Sequence, residues 1–374
     1  MSELKLMTVV GTRPEIIRLC AVIKKCDGFF DHILVHTGQN YDYELNRIFF
    51  EDLELRAPDY YLDAAGGDPG STVGAVIAKS YALMSDVRPD ALLILGDTNS
   101  ALCAIAAKRL KIPVFHMEAG NRCFDENLPE EINRRIVDHI ADVNLAYSEY
   151  ARRNLLAEGL KGQFTFVTGS PMAEVIGQYR EKIESSDVLA RLGLKEKKYI
   201  LLSAHREENI DSEKSFFALM NSVNALAEKY DVPIIYSTHP RSAKMIEKRG
   251  FVFDSRVKSL KPFGFFDYNK LQQNALCVIS DSGTLAEETS LLKLCSVSIR
   301  TSTERQEAVE RGVLLLGSLS SESVLRAVDT AISSFGQGIP DVPDYTQTNV
   351  SDKIVKIITG YTPVINEFIW RKGR

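Results

Sequence analysis

Several common sequence signatures are absent from this chain of 374 residues. The six cysteines are scattered and form no CxxC pair, which disfavours a disulfide framework and a zinc site. There is no GxGxxG fingerprint, so a nicotinamide enzyme is disfavoured. No apolar run is long enough for a transmembrane helix, and the first residues lack a signal-peptide pattern. We therefore expect a cytoplasmic protein with no membrane insertion, no metal and no cofactor.

Basic charge is also scarce relative to acidic charge. The 45 lysines and arginines are outnumbered by 50 aspartates and glutamates, and the formal net charge is −5. A protein that binds the nucleic-acid backbone would normally carry a basic stripe, so we expect no nucleic-acid partner. The length exceeds that of a typical single hydrophobic core, which favours two domains.

Short apolar runs alternate with segments of helical period along most of the chain. This alternation predicts an α/β fold in which parallel strands are covered by helices on both faces. The strand candidates are 6–10, 33–36, 92–95, 114–117, 143–147, 164–167, 199–203, 233–237, 278–280, 296–299 and 313–316. The helix candidates are 16–25, 43–50, 72–87, 100–110, 130–141, 150–158, 213–230, 241–248, 285–293, 304–311 and 321–333. We place the first domain at residues 1–169 and the second at 170–350, with a final helix over 351–374 that docks through Trp370.

Polar clusters follow one predicted strand after another, where ligands bind in open α/β sheets. They lie at residues 11–18, 37–41, 96–100, 116–135, 203–209, 237–241, 280–284 and 300–305. Their distribution over both halves implies two sheets that face each other across a polar cleft. The residues alone therefore predict a two-domain α/β enzyme that acts on a phosphorylated or nucleotide-linked ligand, with carboxylates as acid and base.

Each cluster also has a purely structural interpretation. Thr12 and Glu15 form a possible capping box, and so do Asn127 and Glu130. Glu130–Arg134 and Glu131–Arg135 have the i,i+4 spacing of helix ion pairs. The 280–284 segment could be an ordinary helix cap or a helix N-terminus that binds a phosphate.

Taken together, the clusters resemble the non-hydrolysing UDP-N-acetylglucosamine 2-epimerase family. The resemblance rests on the motifs GTRPEIIR at 11–18, TGQNYD at 37–42, GDTNS at 96–100, HMEAGNR at 116–122, PEEINR at 129–134, VTGSP at 167–171, SAHREE at 203–208, THPR at 238–241, SDSGTLAEE at 280–288 and TSTERQE at 301–307. It implies a GT-B architecture of two Rossmann-like, doubly wound domains around a UDP-binding cleft, with the C-terminal helix returning to the first domain. It also implies an isomerase that removes the C2 proton, expels UDP to form a glycal, and adds UDP back while C2 is reprotonated on the other face.

The resemblance implies roles for individual residues. The acid/base candidates are Asp97, Glu118 and Glu130, and His205 assists at the departing phosphate. The candidates for binding UDP or the sugar are Arg13, Arg18, Arg134, His239, Arg241, Phe266, Tyr268, Ser282, Gly283, Glu288 and Arg305. Arg18 stands where many members of the family have lysine, so the charge is retained but its geometry differs.

One segment departs from the common family pattern. Residues 121–128 read NRCFDENL, and here the chain is more similar to the branch that forms UDP-N-acetyl-L-fucosamine from its 6-deoxy-L-talose epimer for capsule or O-antigen. Cys123 and Phe124 would suit the apolar face of a 6-deoxy sugar. UDP-N-acetylglucosamine is the other candidate substrate.

Three competing functions share these sequence features. A GT-B glycosyltransferase would use the same fold and a UDP-sugar, but it would need an acceptor site. A hydrolysing epimerase would release free sugar and UDP, and a sensor would bind the ligand without turnover. We also expect the protein to be a homodimer.

Overall fold

The computed structural model describes residues 4–38 and 49–372. The chain divides into two compact units, which we call unit 1 (Met1–Gln178 with Pro343–Arg374) and unit 2 (Tyr179–Val342). The sequence placed the first boundary at 169/170. The helix Met172–Gln178 contacts the helix Arg13–Asp27 of unit 1, and Glu174 accepts hydrogen bonds from Ser351. These contacts account for the position of residues 172–178 in unit 1.

Unit 1 contains, within the described residues, a parallel sheet of seven strands in the order β3-β2-β1-β4-β5-β6-β7. The strands are β1 (Lys5–Val10), β2 (Asp31–His36), β3 (Tyr60–Tyr61), β4 (Ala91–Leu95), β5 (Val114–Met117), β6 (Val143–Ala146) and β7 (Thr165–Val167). All side chains of β4 and β5 are buried, as expected for central strands covered on both faces. The helices of this part of the chain are α1 (Arg13–Asp27), α2 (Pro69–Val87), α3 (Cys103–Arg109), α4 (Pro129–Ile140), α5 (Glu149–Ala157) and α6 (Met172–Gln178).

Unit 2 contains a parallel sheet of five strands in the order β10-β9-β8-β11-β12, again counted over the part of the chain that the structure describes. The strands are β8 (Ile200–Ser203), β9 (Ile234–Ser237), β10 (Val257–Leu260), β11 (Cys277–Ser280) and β12 (Ser296–Ser298). The helices are α7 (Arg180–Glu184), α8 (Val188–Leu192), α9 (Glu207–Ile210), α10 (Glu213–Tyr230), α11 (Pro240–Arg249), α12 (Phe265–Asn274), α13 (Leu285–Leu292), α14 (Gln306–Glu310) and α15 (Ser321–Phe335). In both sheets the order reverses beside the first strand of the unit, which is the switch point where α/β folds bind ligands.

The last helix, α16 (Val350–Phe368), belongs to unit 1 and packs against α1. Ile354, Ile358 and Ile365 lie on its buried face. Beyond its end, the ring of Trp370 lies 4.6 Å from the Lys108 ammonium, a cation–π contact. The predicted return of the C-terminal helix to the first domain is confirmed.

Three of the differences between the predicted and the observed secondary structure concern strands. Residues 313–316 form no strand, and only an isolated bridge joins Leu316 to Ser298. The short edge strands β3 and β10 were not predicted, because Tyr60–Tyr61 is too short and Val257–Leu260 is too polar to give an apolar run. The predicted helix 43–50 and the 37–41 cluster lie largely outside the described residues. Among the described helices, none combines the length and the apolar character needed to cross a bilayer.

Candidate functional site

Two predicted acid/base residues of unit 1 follow neighbouring strands. Asp97 comes after β4 and Glu118 after β5, and these strands pair directly. Gly96, at φ +74°, donates its backbone N–H to the Met117 carbonyl over 3.0 Å. A Cβ atom at Gly96 would lie 3.3 Å from Oε2 of Glu118. The carboxylate of Glu118 therefore lies directly against the strand end that carries Asp97.

A guanidinium group contacts each of these two carboxylates. Arg18 from α1 donates from Nη1 to Oε2 of Glu118. Arg134 from α4 donates to Oδ2 of Asp97 from Nε at 3.0 Å and from Nη2 at 2.5 Å. Both arginines are buried. Such charge-assisted hydrogen bonds fix the orientation of each carboxylate.

The third acid/base candidate, Glu130, differs in its surroundings from its neighbour Glu131. Helix α4 begins at Pro129 with Leu128 as its N-cap, and Glu130 is exposed in the first turn. The predicted cap at Asn127 is wrong, because this side chain instead donates to Asp125 over 2.7 Å. Glu131 is fully buried and accepts from Nη1 of Arg134 over 2.7 Å. We give these five residues (Arg18, Asp97, Glu118, Glu131 and Arg134) the name carboxylate cluster.

A network around the fully buried side chains of His116, Arg122 and Asp138 supports the loop after β5. His116 lies with Nδ1 2.9 Å from Oδ1 of Asp138 and with Nε2 2.8 Å from the Gly96 carbonyl oxygen. Arg122 donates from Nη1 to Asp138 over 2.7 Å and from Nη2 to Glu158 over 2.6 Å. Burial alone would raise the pKa of Asp138, but the hydrogen bond from His116 and the charges of His116 and Arg122 lower it. Arg122 thus has a structural partner on each side of its guanidinium group.

Glu15 is a buried carboxylate that the sequence suggested only as part of a helix cap. It accepts from the backbone N–H groups of Gly11 and Thr12 at 2.6 and 2.7 Å, as a capping glutamate would. It also accepts from the hydroxyls of Thr98 at 2.7 Å and Ser100 at 2.5 Å. Burial raises the pKa of Glu15, and these hydrogen bonds partly oppose the rise. Glu15 therefore ties the loop after β1 to the loop after β4.

In unit 2, Asp281 organises the loops that carry the predicted histidines. It is fully buried directly after β11, and its Oδ2 accepts from His205 N and Arg206 N at 2.9 Å each and from the Asn209 amide at 3.0 Å. The rings of His205 and His239 stack at 5.4 Å between centroids. Sequence reasoning named the surrounding cluster but missed Asp281, although it directly follows a predicted strand.

The segment before α13 contains the predicted phosphate-binding residues Ser282 and Gly283. Ser282 and Thr284 are linked through their hydroxyls at 2.9 Å. A Cβ atom at Gly283 would lie only 2.6 Å from Oε1 of Glu304, so the Glu304 carboxylate occupies the space that a side chain at position 283 would need. Glu304 pairs with Arg300 at 2.8 Å. Neither Glu304 nor Arg300 was among the predicted site residues.

The predicted ribose and uracil residues also lie in unit 2. Glu288 is buried in α13 and accepts from the Gln272 amide over 2.6 Å. Burial raises the pKa of Tyr268, and the negative charge of Glu288 adds to the rise. The ring of Phe266 lies 5.5 Å from that of Tyr179. Glu288 and Tyr268 are therefore neighbours, whereas Phe266 contacts an aromatic residue at the start of the unit.

Three arginines that were predicted to bind UDP or the sugar lie outside the carboxylate cluster. Arg241 donates to Asp211 at 2.5 and 3.1 Å and also pairs with Glu207. Arg305 is buried, with Nη2 3.7 Å from Glu287. Arg13 is the first residue of α1 and lies 5.5 Å from the ring of Phe49. Arg241 already has two acidic partners within unit 2.

Comparison with known proteins identifies the family. The family described as UDP-N-acetylglucosamine 2-epimerase matches residues 24–359. The chain belongs to this family. The predicted enzyme class, an isomerase, is confirmed, and the competing glycosyltransferase is not favoured.

Relatives cover nearly the whole chain. The solved UDP-N-acetylglucosamine 2-epimerase from Rickettsia bellii is 46% identical, with a TM-score of 0.91 over 99% of this chain and 100% of that chain. The enzyme from Methanocaldococcus jannaschii, solved with UDP-GlcNAc and UDP, is 33% identical, with a TM-score of 0.89 over 96% of this chain and 100% of that chain. A Pseudomonas aeruginosa UDP-2,3-diacetamido-2,3-dideoxy-D-glucuronate 2-epimerase is 31% identical over 90% of this chain and 94% of its own length. These similarities confirm the predicted GT-B-like fold.

Proposed function

We propose that the protein interconverts C2 epimers of a UDP-activated 2-acetamido sugar and releases a product that is still linked to UDP. The observation that carries this proposal is the pair of arginine-held carboxylates, Asp97 and Glu118, at the ends of adjacent strands. Epimerisation needs two proton-handling groups whose positions are fixed relative to the sugar carbon. Family membership supports the same reaction.

In the proposed mechanism, a carboxylate takes the proton from C2 while the C1–O bond breaks and its electron pair leaves with UDP. The product of this step is a glycal with a C1–C2 double bond. UDP then adds back to C1, and a second acid returns a proton to the opposite face of C2. Asp97, Glu118 and Glu130 are the candidates for these two roles, and His205 assists at the departing phosphate.

The residues predicted to bind UDP keep their proposed roles. Arg13, His239 and the backbone amides of Ser282 and Gly283 are proposed for the diphosphate, since a helix N-terminus binds anions through its free N–H groups. Glu288 would accept from the ribose hydroxyls, with Phe266 or Tyr268 against uracil. We assign Arg18, Arg134, Arg241 and Arg305 to the sugar or phosphate.

Two sugars are candidate substrates. The names of the Rickettsia and Methanocaldococcus relatives support UDP-GlcNAc, which would be converted to UDP-ManNAc. The segment 121–128 supports UDP-2-acetamido-2,6-dideoxy-L-talose, which would be converted to UDP-N-acetyl-L-fucosamine. The Pseudomonas relative acts on neither by its name, so the family fold accommodates different sugars.

The decisive experiment supplies each UDP-sugar separately in deuterated water and follows the products by NMR. We expect deuterium at C2 and a product that is still linked to UDP. A glycosyltransferase would leave C2 unlabelled, a hydrolysing enzyme would release free sugar, and a sensor would give no turnover. Glu118→Gln, which removes one proposed proton-handling group, is the control for a contaminating activity.

We also propose that the enzyme is a cytoplasmic homodimer that supplies a precursor for bacterial surface polysaccharide. Light scattering in solution tests the dimer directly. Loss of capsule or O-antigen after deletion of the coding sequence, with restoration by the unmodified enzyme but not by Glu118→Gln, tests the biological role.

A further inference from the structure

Phe124 combines two unusual properties in the loop between β5 and α4. It has a left-handed backbone at φ +56°, which is unfavourable for a residue with a bulky side chain. Its side chain is also 60% exposed, although a phenylalanine is normally buried. Strained residues persist where the surroundings hold them, and they are concentrated at functional sites.

The surroundings that hold Phe124 centre on Glu131. This fully buried carboxylate accepts from the backbone N–H of Phe124 at 3.3 Å and from that of Cys123 at 3.2 Å. The Cys123 thiol donates to the same carboxylate over 3.2 Å. Burial raises the pKa of Cys123, which keeps the thiol protonated for this role. Glu131 thus fixes the backbone conformation of Cys123 and Phe124, and with it the position from which the Phe124 ring projects.

The same carboxylate is linked to a proposed proton-handling residue. Arg134 donates from Nη1 to Glu131 over 2.7 Å and from Nε to Asp97 over 3.0 Å. An unbroken line of hydrogen bonds therefore runs from Asp97 through Arg134 and Glu131 to the backbone of Phe124. Because Glu131 has no exposed surface, its part in this line is to position other groups.

We propose that Glu131 is a positioning residue that fixes Asp97 and Phe124 relative to each other, and that the Phe124 ring selects the substrate. The ring would do so by contacting the apolar C–H face of the sugar. The proposal rests on the proposed epimerase function and adds the element that chooses the substrate. An exposed aromatic ring suits a pyranose face, and it suits a 6-deoxy sugar best because the C6 methyl group has no hydroxyl to desolvate. The ring should therefore favour the UDP-6-deoxy-L-sugar over UDP-GlcNAc.

The first test measures kcat and KM with UDP-GlcNAc and with UDP-2-acetamido-2,6-dideoxy-L-talose. Phe124→Ala keeps the Cβ atom, and with it the backbone preference, but removes the ring. We expect it to reduce the preference for the 6-deoxy sugar, measured as the ratio of the two kcat/KM values, by about tenfold. Phe124→Tyr keeps the ring and should keep the ratio. Phe29→Ala is the matched control, since Phe29 is also a phenylalanine of unit 1 and is 57% exposed.

An unchanged ratio in Phe124→Ala, with an active unmodified enzyme, overturns the inference. Failure of the proposed function looks different, because the unmodified enzyme would then epimerise neither sugar.

The second test uses Glu131→Gln, with Asp142→Asn as its control. Asp142 is another buried carboxylate of unit 1 that accepts from a backbone N–H (Val114, 2.9 Å) and pairs with a cation (Lys108, 2.6 Å), but at the opposite end of β5. We expect Glu131→Gln to lower kcat by about tenfold or more and to shift the sugar ratio, with UDP affinity unchanged. Asp142→Asn should lower the melting temperature without either effect. Equal kinetic losses in the two variants, or an unshifted ratio in Glu131→Gln, would assign Glu131 a purely structural role.

Discussion

The strand ends of the two units hold their acidic side chains in different ways. In unit 1, guanidinium groups orient both acid/base candidates: the side chain of Asp97 remains 24% exposed, whereas that of Glu118 is buried apart from 8% of its surface. In unit 2, Asp281 is fully buried and its carboxylate accepts from the backbone N–H groups of two loop residues. A carboxylate that is oriented but reachable can exchange a proton with a ligand, whereas a buried one can only hold a loop. We infer that the oriented carboxylates of unit 1 act as acid and base, whereas the carboxylate of Asp281 only supports the loop that carries His205.

The largest effect should follow from changing one of the two carboxylates of unit 1 that an arginine orients. Asp97→Asn and Glu118→Gln preserve the side-chain shape but remove the proton-accepting group. We expect kcat to fall by roughly 10²–10⁴-fold while the dissociation constant for UDP, measured by calorimetry, is unchanged. If the affinity for UDP fell by the same factor as kcat, these carboxylates would act in binding, and the contrast with Asp281 would be lost.

A matched control is available in the same unit. Asp59 also accepts from an arginine, Arg56, at 2.7 Å, but it lies away from the carboxylate cluster, next to the edge strand β3. Asp59→Asn should leave kcat unchanged. A similar fall in kcat for this variant would mean that losing any carboxylate–arginine pair of unit 1 reduces kcat, whether or not the carboxylate handles a proton.

The second prediction concerns the stability of unit 1 in acid, which should depend on His36. Burial lowers the pKa of His36 at the end of β2 from 6.5 to about 4, and the charge of Asp63 only partly opposes this. A histidine whose pKa is lower in the folded state stabilises the fold above pH 6.5, and this contribution is lost as the pH falls towards 4. We expect unit 1 to lose about 3 kcal/mol over this interval from His36 alone.

The test can be restricted to unit 1, because the single tryptophan of the chain, Trp370, lies there. Denaturant unfolding followed by its fluorescence should become less dependent on pH between 6.5 and 4 in His36→Asn. The asparagine oxygen can replace Nδ1 as the acceptor for Gly38 N. His139→Asn changes an exposed histidine of the same unit and should keep the original dependence. An unchanged slope in His36→Asn would contradict the assignment.

The sequence predicted the strands of both sheets well where they are buried. The run Ala91–Leu95 is apolar throughout, so its end and the following Asp97 could be placed correctly. Pairing of β4 with β5 then follows from the usual topology of α/β folds, which brings Glu118 to the same edge. The ends of central strands can therefore be predicted from apolar runs and general topology.

The roles of neighbouring acidic residues could not be predicted in the same way. Whether Glu130 or Glu131 is buried depends on the rotation of α4, and one residue changes that rotation by about 100°. The signal that was available is the spacing 131, 134 and 138, which places Glu131, Arg134 and Asp138 on one helical face. Asp281 was missed for another reason: two of the three groups that donate to its Oδ2 atom are backbone N–H groups, which leave no trace in the sequence.

The smallest effect should come from Asp281, the buried counterpart in unit 2. In Asp281→Asn the remaining oxygen can still accept one N–H group, so the loop that carries His205 loses only part of its support. We expect the dissociation constant for UDP to rise by about tenfold, the equivalent of one or two weakened hydrogen bonds. The rate of deuterium incorporation at saturating substrate should stay near that of the unmodified enzyme.

Asp329→Asn is the control, because it changes an exposed carboxylate of unit 2 that pairs with Lys229. It should alter neither the dissociation constant for UDP nor the rate of deuterium incorporation. A fall in the saturated rate with unchanged UDP affinity would mean that the buried carboxylate orients His205 for the chemistry, and the assignment of Asp281 to UDP binding would then be wrong.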